Sequence, residues 1–129
     1  MILVCGATGE LGRRIARGLR AAGSPVRALV RPASDAEGLR ELGVEMTEGD
    51  FRDAESLRRA VTGVETVVST VTVIARALAG EKDADFHAVD VVGHRDLITA
   101  TEAAGVARFI FVSAARVSEL DRNPTKEDA

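Results

Sequence analysis

Short apolar runs alternate with longer amphipathic stretches along most of the chain. The runs predict five β-strands, which lie at Ile2–Cys5, Val26–Arg31, Val44–Glu48, Val64–Thr70 and Phe109–Ser113. The first and last runs are continuously apolar, as expected for strands buried on both faces of a sheet. The third run alternates apolar with polar residues, which indicates a strand at the edge of the sheet.

The first two stretches between these runs predict amphipathic helices. The first helix extends from Glu10 to about Ala22, and its apolar stripe comprises Leu11, Ile15, Gly18, Leu19 and Ala22. The second opens at Ser34-Asp35-Ala36-Glu37, which has the form of a capping box.

Two further helices are predicted before the last two strands. One follows Asp53, a good N-cap residue, and turns Leu57 and Val61 inward. The other extends from about Asp83 to Ala104, with an apolar stripe of Phe86, Val89, Gly93, Leu97 and Ala100.

Strands that alternate with helices predict an α/β fold with a doubly wound, parallel, Rossmann-type sheet. Each helix is closed by a glycine suited to a left-handed C-cap: Gly23, Gly43, Gly63 and Gly105. The expected strand order is 3-2-1-4-5, truncated after strand 5, with a ligand at the carboxyl ends of strands 1 and 4. We expect residues 1–113 to form one domain and the polar tail 114–129 to be loose or disordered.

The turn between the first strand and the first helix carries the pattern Gly-x-x-Gly-x-x-Gly. In this turn, Gly6 lets the chain leave the strand, Gly9 lets a diphosphate approach the backbone, and Gly12 lets the helix pack closely. The helix amides and dipole then favour an anion, so the candidate cofactor-binding residues of the turn are Gly6, Thr8, Gly9, Glu10, Leu11 and Gly12. An isolated motif could be a turn that binds nothing, but the strand before it and the helix after it favour a nucleotide.

The end of the second strand has an arginine where an NAD-binding sheet has a carboxylate. Arg31 is therefore a candidate ligand for the 2′-phosphate of NADP(H), and Arg13 is a possible second one. NAD(H) remains a possible cofactor. The alternative for both residues is an ordinary solvated arginine.

Candidate residues also end the third and fourth strands. Asp50 and Phe51 would lie beside the adenine, although they could equally cap a turn and pack in the core. Ser69, Thr70 and Val71 would border the adenine-side ribose, although such residues are also common in any strand.

Composition narrows the partners and the compartment. The net charge of −3 gives no reason to expect nucleic acid or an anionic membrane as a partner, and no apolar run reaches membrane-spanning length. Cys5 is the only cysteine, so packing is its simplest role and the cytoplasm the simplest compartment. His87 and His94 are expected to be surface residues that share a helix face, and we expect no metal site.

Together these segments resemble the short-chain dehydrogenase/reductase superfamily, in its atypical NmrA-like or NAD(P)H-quinone-reductase-like branch. The resemblance rests on Ile2–Gly12, Val26–Arg31, Gly49-Asp50, Val89–Gly93 and Ala103–Ser113. The resemblance implies NADP(H) binding, to which Ser113 would contribute. It also implies reduction of a quinone or a similar carbonyl compound, but it does not identify the small-molecule substrate.

The catalytic pattern of that family is absent from these residues. Active relatives have a serine just past the fifth strand and a Tyr-x-x-x-Lys motif, whereas this chain has no tyrosine and its serine position falls on Ala114. The catalytic residues are therefore unknown. The alternative function is a catalytically silent NAD(P)-binding sensor or regulatory module, and a methyltransferase is a more distant third.

The last strand predicts self-association. Nothing after Ser113 has the length or apolar period to cover one face of strands 4 and 5. An apolar edge without a charge or a proline invites pairing with another chain, so we expect a homo-oligomer.

Overall fold

A computed structural model describes residues 1–72 and 87–113. The strands are β1 (Ile2–Cys5), β2 (Val26–Val30), β3 (Glu45–Glu48), β4 (Thr66–Ser69) and β5 (Arg108–Phe111). The helices are α1 (Glu10–Ala21), α2 (Glu37–Glu41), α3 (Ala54–Ala60) and α4 (His94–Ala103), and a π-helical segment, His87–Gly93, leads into α4. The predicted tail 114–129 and the predicted start of the fourth helix lie outside the described residues.

The five strands form one parallel sheet in the order β3-β2-β1-β4-β5, which confirms the predicted topology. Val4 of β1 pairs in register with Ala28 of β2 and Val68 of β4. β2 and β3 lie on one side of β1, and β4 and β5 lie on the other. The direction of the strand connections therefore reverses between β1 and β4, and the carboxyl ends of these two strands lie side by side at that point.

Two hydrophobic cores cover the two faces of the sheet. On one face Val4, Ala28 and Val30 pack with Ala16 of α1 and Leu39 of α2. On the other face Leu3, Cys5 and Val67 pack with residues of α3 and α4: Leu57, Ala60, Leu97 and Ala100. This arrangement confirms that the first two helices lie on one face and the last two on the other.

The buried stripe of α1 differs from the predicted one. Gly12 and Ala16 are its buried residues, whereas Leu11, Gly18 and Ala22 are exposed, so this part of the prediction was wrong. The reason is that α1 approaches β1 through its smallest side chains, which rotates Leu11 away from the core and toward the end of the sheet.

The caps of the second and third helices differ in outcome. The predicted capping box was wrong: α2 begins at Glu37 after Ala36, with no side-chain cap, and Asp35 only accepts a hydrogen bond from the Glu37 amide (3.1 Å). Asp53 was predicted correctly, since its carboxylate accepts hydrogen bonds from the amides of Glu55 (3.1 Å) and Ser56 (3.3 Å).

Burial decreases along the sheet from β1 to β5. Val4, Val68 and Ile110 lie side by side on one face, and their exposed fractions are 0%, 7% and 43%. The neighbouring residues Phe111 and Val112 are also exposed. The described part of the last strand is therefore not buried on both faces, so the expectation drawn from its continuous apolar run was wrong there.

The predicted stripe of the fourth helix is confirmed where the structure describes it, because Val89, Gly93, Leu97 and Ala100 are all buried. Within residues 1–72 and 87–113, no helix combines the length and the apolar character needed to cross a bilayer.

Candidate functional site

The glycine turn after β1 is built so tightly that it excludes side chains. Gly6 has a φ of 87°, and a Cβ atom there would collide with the Thr70 hydroxyl. A Cβ atom on Gly12 would collide with the carbonyl of Gly6 and lie 2.9 Å from the Cα of Ala7. Only hydrogen at these positions lets the first turn of α1 meet the end of β1.

The N-terminus of α1 is open toward the end of the sheet. Gly9 is its N-cap, so no side chain caps the helix, and the Gly9 amide donates to the Gly6 carbonyl (3.1 Å). The amides of the first helical turn have no carbonyl partner within the helix, and the helix dipole makes this end favourable for an anion. The carboxylate of Glu10 is held by Arg14 (2.7 Å) on the helix surface.

A cavity of about 290 Å³ lies at this point, near the lower end of the range for small-molecule sites. Its lining residues are Gly6, Thr8, Gly9, Glu10, Leu11, Gly12, Leu29, Arg31, Ser34, Gly49, Asp50, Phe51, Thr70, Val71 and Thr72. All the candidate cofactor-binding residues are among them except Arg13, Ser69 and Ser113.

Four lining residues were missed by the sequence analysis: Leu29, Ser34, Gly49 and Thr72. Three of them are next to or near candidates at strand ends, so extending each candidate group by one or two residues could have found them. Ser34 had been assigned to a helix cap. Instead its amide donates to the Arg31 carbonyl (2.9 Å), and this turn places Arg31 and Ser34 together at the cavity.

The segment after β3 is held rigidly against α3. The Asp50 amide donates to the Ser56 hydroxyl oxygen (3.1 Å), and the Asp50 carboxylate pairs with Arg52 (3.1 Å). Phe51 is 1% exposed and belongs to the core, yet its ring also lines the cavity. Packing in the core is therefore confirmed for Phe51, and its contact with an adenine stays a prediction.

Gly93 explains how a helix packs so closely on this phenylalanine. A Cβ atom on Gly93 would lie 2.9 Å from the Cβ of Phe51. The residue that follows Gly93 is His94, which is 8% exposed, so the prediction of a surface histidine was wrong. Its ring packs edge-on between Phe51 and Phe111, with centroid distances of 4.9 Å to each.

The ends of β1 and β4 are joined by side chains behind the cavity. Thr70 donates from its hydroxyl to the Cys5 carbonyl (3.2 Å). Ser69 is fully buried, and its hydroxyl contacts Nε2 of His94 (3.1 Å) rather than the cavity. Cys5 is buried as expected, and this burial raises the pKa of its thiol to about 12.

The two remaining candidates lie outside the lining. Arg13 is half-buried beside the turn, with one guanidinium nitrogen 3.5 Å from the Thr8 carbonyl, and its Nε makes no hydrogen bond within the described residues. Ser113 is exposed just past β5. The residues described also contain no group of three or more His, Cys, Asp or Glu side chains arranged to hold a metal ion.

Comparison with known proteins places this cavity in context. A protein-family model described as NAD(P)H-binding matches residues 6–128. The chain is 41% identical over 112 residues to sterol demethylase protein B of Methylococcus capsulatus, a match that covers 87% of the chain and 34% of that protein. It is 36% identical over 111 residues to NAD(P)H azoreductase of Xenophilus azovorans, with coverage of 85% and 34%.

Solved structures agree with these matches. A short-chain dehydrogenase/reductase superfamily protein from Agrobacterium tumefaciens with bound NAD has a TM-score of 0.74 and 35% identity, over 95% of the chain and 35% of that structure. A triphenylmethane reductase from Citrobacter complexed with NADP(H) has a TM-score of 0.67 and 27% identity, over 92% and 39%. The chain thus spans about a third of the length of these relatives.

The tight glycine turn predicts opposite effects for two substitutions in α1. Gly12→Ala should lower the free energy of unfolding by about 1–3 kcal/mol, because the new methyl group collides with the Gly6 carbonyl. Gly18→Ala should raise it by about 0.5–1 kcal/mol, because the helix gains propensity and nothing lies within 4 Å of the added atom. Urea unfolding of both variants measures the difference, and equal effects would contradict this account of the turn.

Proposed function

Since the chain belongs to the NAD(P)H-binding family of atypical short-chain dehydrogenases/reductases, we propose that it is the NADP(H)-binding domain of an oxidoreductase that reduces quinones or related carbonyl compounds. Its relatives are about three times as long, so the reaction of the whole protein is part of the proposal.

The observation that carries the proposal is the glycine turn at the open N-terminus of α1. A diphosphate needs backbone amides, positive potential and room for its oxygens. The cavity offers the amides of the first turn of α1, the dipole of that helix, and a surface at Gly9 without a side chain. Thr8 lines the same place and would contribute its hydroxyl. These residues fit the diphosphate of a dinucleotide.

The adenosine end of the nucleotide would lie over the ends of β2 and β3. Leu29 and Phe51 supply apolar lining for the adenine, and Arg31 and Ser34 supply donors at the ribose. The arginine guanidinium matches a phosphate group in charge and in the geometry of its donors. This pairing supports NADP(H) as the preferred cofactor, with NAD(H) as a weaker ligand.

The nicotinamide, when bound, would supply a hydride for the reduction. The residues of this chain would hold the nucleotide along the ends of the strands, with Thr70 and Val71 past β4 on the side where the winding reverses. The names of two relatives, an azoreductase and a triphenylmethane reductase, support reduction as the class of reaction, and the quinone or carbonyl acceptor is part of the proposal.

A second candidate function is a catalytically silent NAD(P)-binding sensor or regulator. The observation that favours it is the absence of tyrosine from the 129 residues, so a Tyr-x-x-x-Lys proton donor is not encoded in them. Such a module would bind the nucleotide with the same residues and report it to a partner.

The first prediction of the proposal concerns cofactor preference. Calorimetric titration should show tighter binding of NADPH than of NADH. Arg31→Ala should weaken NADPH binding roughly ten- to a hundredfold and leave NADH binding nearly unchanged, because a hydrogen bond between charged groups is worth about 1.5–3 kcal/mol.

Arg40→Ala is the matched control, since it removes the same charge from an exposed helix position that does not line the cavity. It should bind both nucleotides like the unmodified chain. If neither nucleotide binds, the function is wrong; if the NADPH preference survives in Arg31→Ala, the role of Arg31 is wrong.

Turnover separates the two functions. Oxidation of NADPH, followed by its absorbance with a panel of quinones and carbonyl compounds, is expected for the reductase. NADPH binding without any turnover in the full-length protein would instead favour the sensor.

We also propose that the chain self-associates through the exposed end of the sheet. Ile110, Phe111 and Val112 are all exposed on or beside β5, which is an edge strand of the sheet within the described residues. Light scattering at micromolar concentration should show an oligomer. Ile110→Lys should shift it toward the monomer, whereas Ala21→Lys, a charge added to exposed α1, should not. A monomer at every concentration would contradict this proposal.

A further inference from the structure

His94 is a polar residue at the meeting point of four elements, directly behind the cavity. It begins α4, and its ring lies between Phe51, which follows β3, and Phe111 of β5. Its Nε2 atom lies 3.1 Å from the Ser69 hydroxyl of β4. Phe51 also lines the cavity, so the imidazole packs, on the core side, behind the part of the cavity wall that Phe51 forms.

A short chain of hydrogen bonds leads from this ring to the cavity. Nδ1 of His94 has no hydrogen-bond partner within the described residues, while the backbone at Val89 and Asp90 favours a proton on the ring. We assign this proton to Nδ1, and in that tautomer Nε2 accepts a hydrogen bond from the Ser69 hydroxyl. The Ser69 oxygen in turn accepts a long hydrogen bond from the Val71 amide (3.4 Å), and Val71 lines the cavity.

We propose that His94 is a positioning residue for nucleotide binding: through the Ser69 hydroxyl, its neutral ring holds the backbone at Val71 in the place where it forms the cavity wall. The expected effect on nucleotide affinity rests on the proposed nucleotide-binding function. The link from His94 to Val71 does not, because it is made by residues of the chain alone.

Protonation of His94 would disturb this link. An imidazolium has a proton on both nitrogens, so Nε2 can no longer accept from Ser69, and the buried hydroxyl loses its acceptor. The groups that contact the ring from β4, from β5 and from the segment after β3 are uncharged: Ser69, Phe111 and Phe51. The charged group that acts on it is Asp90, on its own helical segment.

The direction of the pH effect follows from this environment. Burial lowers the pKa of His94 below its ordinary value, and this outweighs the opposing effects of the Asp90 carboxylate and the nearby carbonyls. The native state therefore prefers the neutral ring. The contribution of the neutral His94 ring to the stability of the native state is fully present above about pH 6.5, the ordinary pKa of histidine. It is lost as the pH falls through the lowered pKa of His94.

The nucleotide experiment uses two variants of His94 and NADPH as the probe. In His94→Gln the side-chain amide reaches about as far as Nε2, so it can still bond to Ser69 but cannot titrate. In His94→Leu the bond is lost. At about pH 7.5 we expect His94→Gln to bind like the unmodified chain and His94→Leu to bind about three- to tenfold more weakly.

As the pH falls from about 7.5 through the midpoint measured by NMR for the His94 ring protons, the unmodified chain should lose more affinity than His94→Gln. The comparison is made as a ratio at each pH, because the 2′-phosphate of NADPH itself titrates near pH 6. Circular dichroism at each pH confirms that the variants are folded. Equal affinities of the unmodified chain and His94→Leu throughout this pH range would overturn the proposal.

A second measurement needs no nucleotide. In the free protein, the NMR amide resonance of Val71 should shift with the same midpoint as the ring protons of His94, and Ser69→Ala should abolish most of this shift. A Val71 resonance that ignores His94, or a coupling unchanged in Ser69→Ala, overturns the proposal. If the coupling is present but neither NADPH nor NADH binds, the positioning link stands and the proposed function fails.

Discussion

The absence of side chains at Gly6 and Gly12 is the constraint on which this structure depends. The first turn of α1 can meet the end of β1 only because a Cβ atom at either position would occupy space already filled by the Thr70 hydroxyl or the Gly6 carbonyl. That contact leaves the helix amides facing a cavity instead of a packed core, and it also displaces Leu11 from the core to the cavity mouth. Packing therefore requires glycine at Gly6 and Gly12, and the same packing exposes the helix amides that the proposed diphosphate would use.

Two of the segments that line the cavity are anchored behind it by buried polar groups. Ser56 holds the backbone at Asp50, and Ser69 with His94 lies behind Val71. Such buried hydrogen bonds cost little when both partners are satisfied and much when one is removed. The ring of His94 also contacts Phe111 of β5. His94 therefore lies between β5 and the groups behind the cavity, although it does not line the cavity itself.

The division of the sheet into a buried half and an exposed half agrees with the comparisons. The family match covers residues 6–128, the glycine turn lies among the buried strands, and the chain spans about a third of the length of its relatives. In a doubly wound fold the nucleotide is held by the ends of the strands and the reaction partner is supplied by additional segments. The family match thus assigns this part of the relatives to NAD(P)H binding, whereas the preference for NADP(H) through Arg31 stays a prediction.

The sequence by itself determined the strand order, the glycine turn, the Asp53 cap and most of the cavity lining. The alternation of strands with helices indicates the strand order, and an acidic residue just before a helix indicates the cap. The glycine spacing after β1 and the ends of the strands indicate the turn and the lining. The tertiary structure decided which helix faces are buried. His87 and His94 are seven residues apart and would share a face of an α-helix, but the π-helical segment changes the angle between them, so His87 is exposed and His94 is buried. The burial of the His94 ring also requires Phe51, which follows β3, and Phe111, which belongs to β5. Ser34, in contrast, joins the cavity through a local turn: its amide bonds to the Arg31 carbonyl three residues earlier, and Pro32 at the second position is a sequence signal for such a turn.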